Sequence, residues 1–344
     1  MSNITQPIWE TLFTFTPFLL LFYLVNLSEK NRESNPNKGE TLAIVLYVLI
    51  GAIYGLLFLI GLANQLFSML PAEVFEKIAT NLPIKQSSLS FMGLGIWISS
   101  LLAMLTFIPA VRKGIARLIP IDPFHRVHTI ALSLSMTIFI QLFFYLGIGL
   151  ETLSQIEPVQ SLGSTLSSIW SQDLLFVLIS FVGVGWLTRR NSKETIKRLG
   201  LEKPTLQIIL LALLIGVCFS YLAQLLEFIA VKAGITGDPH VNKLTEKMLG
   251  PLFTSTIGIL TLGLAAALGE ELIFRGALQP RFGLVYTAIL FTFTHANYGF
   301  SLSTFIVLVF ALALGLLRKY YHTTFTMIVH ATYNISLVVL PPIG

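Results

Sequence analysis

Ten apolar stretches constrain this chain more than anything else in it. Crossing the hydrocarbon core of a membrane takes about 20 helical residues, and apolar runs near that length lie at 8–27, 41–70, 91–111, 128–150, 173–188, 205–231, 251–274, 283–297, 301–317 and 322–340. In lipid a lone segment can satisfy its backbone only as a helix. The sequence therefore predicts an all-α, polytopic transmembrane helical bundle of about ten spans. Composition agrees, with 54% hydrophobic and 11% charged residues, against about 25% charged in soluble domains. The net charge of +5 is then a property of loops. It points to a bilayer and to no nucleic-acid partner.

The basic residues test the alternation. Of the 22 Lys and Arg, 17 fall in odd-numbered loops, including Arg189, Arg190, Lys193, Lys197, Arg198 and Lys203. Only Lys77, Lys85, Lys232, Lys243 and Lys247 fall in even-numbered ones. The positive-inside rule then makes the odd loops cytoplasmic and leaves both termini outside, in a multi-pass integral membrane protein. The stretch Met1–Glu10 holds no Lys or Arg, and no small-residue cleavage site follows the run to Leu27. This start reads as a first span, not as a cleaved signal peptide.

The organisation expected is an N-terminal membrane region of about five spans, 1–190, a cytoplasmic amphipathic linker, 191–204, and a C-terminal region, 205–344, that holds the buried polar groups. Pro204 suits the first turn of the sixth span. Gly51 and Gly55 form a small-xxx-small pair that reads as a helix-packing face. Cys218, the single cysteine, reads as a small core residue. His125 and His128 read as members of a solvated basic loop.

Chemistry is concentrated in the C-terminal region. Glu270, Glu271 and Arg275 close the seventh apolar run. Ionised groups at membrane depth cost roughly 2.5–3.5 kcal/mol each on insertion scales, so they mark a functional site by default. Glu271 and Arg275 are four apart and share a helical face, whereas Glu270 points about 100° away. Phe291 and His295 are also four apart, as are His330 and Asn334. Each pair alone is ordinarily structural. Together, three spans supply a base, a proton carrier and oxyanion donors, the roles that peptide hydrolysis needs.

The patterns Glu270-Glu271-x-x-x-Arg275, Phe291-x-x-x-His295 and His330-x-x-x-Asn334 resemble the three motifs of the CAAX prenyl-protease and bacteriocin-processing family, intramembrane endopeptidases of the type II CAAX class. The resemblance covers about 205–340, with Arg198–Leu201 just before it. It implies that Glu270 and His295 activate water, that His330 and Asn334 hold the oxyanion, and that Glu271 and Arg275 orient Glu270. The expected substrate is a membrane-associated protein or peptide. Glu270, His295 and His330 are donors that zinc accepts, but no His-Glu-x-x-His is present, so a metal-free, glutamic-type reaction is favoured and no cofactor is expected. Two other readings stay open: a proton-coupled transporter, and a catalytically inactive bacteriocin-immunity or scaffold protein.

Overall fold

The computed structural model describes residues 2–78, 85–235 and 237–342. Among them the regular structure is helical, with one isolated backbone bridge between Trp186 and Arg190. The first five membrane helices are α1 (Ser2–Ser34), α2 (Pro36–Phe67), α3 (Gln86–Leu105), α4 (Arg126–Ile148) and α5 (Leu162–Gly183). A short surface helix, Ser192–Leu199, precedes α6 (Leu206–Lys232) and α7 (Thr256–Glu271). The last three are α8 (Leu284–Thr294), α9 (Leu302–Tyr320) and α10 (Thr323–Val339). Eight segments are long and apolar enough to cross a membrane, counting α7 through to Phe282. Among the described residues α8 is a shorter apolar helix, the count is roughly consistent with the ten expected, and the protein is an integral, multi-pass membrane protein.

Many of the most exposed side chains are large and apolar, among them Phe13, Val48, Leu56, Leu210 and Leu214. Lipid tails are as apolar as leucine, so close backbone approach holds such helices together. Gly216 of α6 sits against Thr332 and the Val329 carbonyl of α10. Gly263 of α7 meets Ile335 of α10, and Gly269 of α7 meets Asp173 of α5. In the first half, Gly61 and Gly93 bring α2 and α3 together. Gly51 and Gly55 have nothing within 4 Å, so the packing face lies elsewhere on α2. Cys218 is exposed on α6 and belongs to no core.

Several boundaries differ from the hydropathy reading. The fifth span starts at Leu162, not at 173. Its first half is rich in Ser and Thr, which lowers hydropathy. Thr165 and Ser167 nevertheless donate their hydroxyls to carbonyls four residues back, inside the helix. The third span ends at Leu105, and Pro109 opens a separate short helix, Pro109–Ile115. The linker carries the expected amphipathic helix. A capping box between Asn191 and Glu194 opens it, and Gly200, at φ +70°, closes it in the left-handed conformation that glycine adopts without penalty. His125 and His128 are half-buried and stacked at 4.2 Å between ring centroids, so they are not a solvated loop.

Candidate active site

Helix α7 carries the acidic pair to the middle of the bundle. Ser255 caps its start by accepting from the Gly258 amide. At its other end the helix widens into a π-helix, Leu272–Leu278, and the chain continues as a short α-turn, Gln279–Phe282. A π-segment within a helix is uncommon and frequently marks a functional site. Arg275 lies in this segment and is fully buried, so it belongs to the membrane interior and not to a loop.

Glu271 is completely buried. One of its oxygens, Oε1, sits 3.0 Å from Nη1 of Arg275 and 2.9 Å from Nδ1 of His330 on α10. The guanidinium of Arg275 lies 4.3 Å above the centre of the Phe291 ring, a cation–π arrangement that uses the aromatic face. Glu270, one residue earlier, points elsewhere and is partly open. Its Oε2 stands 3.9 Å from Nε2 of His330. His330 is thus set between two carboxylates, and the buried pair reaches His330 directly.

His295 is the residue at which α8 stops, not one within it. The 11 residues of α8 rise only about 16 Å, roughly half the hydrocarbon core. Its Nδ1 lies 3.1 Å from the Phe291 carbonyl. An N–H there leaves Nε2 as an acceptor. Asn334 on α10 donates one amide hydrogen to the Leu262 carbonyl at 3.2 Å and keeps the other free.

Glu270, Phe291, His295, His330 and Asn334 line one cavity, partly open, while Glu271 and Arg275 are not in its lining. Two further residues in that lining were not singled out from the sequence. Tyr298 follows His295 in the turn after α8. Asp173 comes from α5 and is 3% exposed, and its Oδ1 has no hydrogen-bond partner among the described residues. An ionisable residue inside a span is a recognisable signal, but a fifth span begun at 173 leaves Asp173 at its edge.

Zinc needs at least three converging protein donors. Among the described residues no three His, Cys, Asp or Glu side chains converge in that way. The donors do not fit a zinc ion in this arrangement, and no step below is routed through one.

Residues 252–336, 85 of the 344, match the family model described as Rce1-like, "Type II CAAX prenyl endopeptidase Rce1-like". The matched segment runs from the start of α7 to α10 and contains all three motifs. The resemblance read from those motifs is borne out. No curated protein and no solved structure matches the chain.

Proposed function

We propose that the protein is a CAAX-type intramembrane endopeptidase of glutamic type, needing no metal, and that the cavity between α5, α7, α8 and α10 is its active site. One observation carries this reading. Glu270, His295, His330 and Asn334, from three distant segments, line a single space with a buried ion pair behind it.

A water held between the Glu270 carboxylate and Nε2 of His295 loses a proton to Glu270 as its oxygen attacks the carbonyl carbon of a membrane-associated protein or peptide. The carbonyl oxygen becomes an oxyanion. Nε2–H of His330 and the free Nδ2–H of Asn334 donate to it. The two roles given to His330, Nδ1–H to Glu271 and Nε2–H to the oxyanion, use both ring nitrogens as donors, as the imidazolium form does. Glu271 holds the ring by Nδ1, so Glu271 and Arg275 orient His330 as well as shield Glu270. On collapse the C–N bond breaks and the proton on Glu270 passes to the amine. The products are a carboxylic acid and an amine, and one water is consumed.

The odd loops face the cytoplasm, and the substrate reaches the cavity from within the bilayer. In the purified protein, Glu270→Gln and His295→Ala each lower cleavage of a membrane peptide by at least about 100-fold while leaving the melting temperature near that of the unchanged chain. Undiminished cleavage in both variants removes the assignment. Activity that survives a zinc chelator supports the metal-free form, and loss restored by zinc overturns it.

A further inference from the structure

A second cleft, partly open, shares no lining residue with the cavity around Glu270. The loop after α5, the surface helix and the turn after the π-helix bring four guanidinium groups to it, those of Arg189, Arg190, Arg198 and Arg281. The rings of His125 and His128 complete its polar part, and Phe22, Ile179, Val184, Ile273 and Phe282 form an apolar wall.

The hydrogen bonds of these arginines go to neutral groups. Arg189 donates to Oδ1 of Asn26 at 2.9 and 2.7 Å and faces Nε2 of His125 at 3.2 Å. Arg190 donates to the Val184 carbonyl. Arg198 donates to the carbonyls of Gly276 and Ala277 at 2.9 and 3.2 Å. Among the described residues none of the four has a carboxylate within 4.0 Å. Glu29, Asp122 and Glu194 act on this group only from farther away. Burial and the neighbouring guanidinium groups push Arg189 and Arg198 down to about 10. Three partly buried cations and one exposed one that converge without a carboxylate close by repel one another, and an anion seated among them removes that cost. Guanidinium forks fixed in their planes suit the oxygens of a phosphate.

The apolar wall decides between two sources of phosphate. A free phosphate leaves the half-buried Phe22 and Ile273 in water, whereas a lipid covers them. Basic pockets between membrane helices near the headgroup level bind anionic lipid heads. We propose that this cleft binds the phosphate of an anionic phospholipid, held by Arg189, Arg190, Arg198 and Arg281, with the first carbons of a chain against Phe22 and Ile273. The inference does not depend on the protease reading.

Native mass spectrometry of the full chain, with phosphatidylglycerol or phosphatidylcholine added to the detergent, tests it. Arg281 is exposed and has no hydrogen-bond partner among the described residues, so Arg281→Gln disturbs no packing. The combination with Arg189→Gln removes half of the cluster. The expected result is retention of phosphatidylglycerol about tenfold above phosphatidylcholine, reduced by Arg281→Gln and abolished in the double variant. Exposed Lys38 lies outside the cleft, and Lys38→Gln leaves the preference intact. Equal retention of the two lipids overturns the site, as does an equal loss in Lys38→Gln. Displacement of phosphatidylglycerol by inorganic phosphate at matched concentration assigns the cleft to a free anion and overturns the lipid proposal.

Discussion

Glu271 is held between Arg275 and His330, and its consequences are energetic as well as chemical. Removing one partner of a buried pair leaves the other charge uncompensated, at about 3–5 kcal/mol. Glu271→Gln is therefore expected to destabilise the protein by that order, read by chemical denaturation in detergent, while Glu270→Gln, at the partly open carboxylate, has a small effect on stability and a large one on rate. Asn334→Ala removes one oxyanion donor and lowers kcat by about 100- to 1000-fold with KM nearly unchanged, measured on a membrane peptide. His125 gives a pH signature outside the spans. Burial, then the nearby Arg189, lowers its pKa from 6.5 to about 4. Between those values the unfolded chain binds the proton and the folded one does not, so stability is full above pH 6.5 and falls as the pH drops towards 4. A thermal-denaturation series should show that decline, and His125→Gln should lessen it, leaving the part that belongs to the stacked His128.

At the scale of elements, the apolar runs made the bundle legible because span length and hydropathy are local properties. The spacings 271/275, 291/295 and 330/334 made the site legible because residues four apart share a face. Three features were hidden. The π-helix depends on tertiary contacts of Arg275 that no periodicity encodes. The stop at His295 depends on the turn that follows. Asp173 was obscured because hydroxyl-rich residues depress hydropathy while bonding back to their own helix. The glycines divide in the same manner. A methyl at Gly269 runs into Asp173, whose backbone is also close, so Gly269→Ala requires α5 to move and is expected to cost about 1–3 kcal/mol. Gly51→Ala meets open space and is expected to be neutral or to stabilise by up to about 1 kcal/mol. Paired melts of the two variants separate packing glycines from idle ones.

For the whole molecule, α5 lies between α1 and α7 and adds Asp173 to the cavity wall. A fragment beginning at 205 lacks that wall. It should be inactive alone and regain cleavage when residues 1–204 are co-expressed. Full activity in the lone fragment would confine the site to the C-terminal region. Orientation is open to a similar check. With Cys218 replaced by Ser, a cysteine at Lys193 should react with maleimide only from the cytoplasmic side, and one at Lys243 only from the outer side. Helix α8, finally, has 11 residues and rises about 16 Å, roughly half of what a span needs. A segment this short leaves a mismatch with the surrounding bilayer whose size depends on membrane thickness. Turnover should therefore rise in short-chain phosphatidylcholine and fall in long-chain phosphatidylcholine.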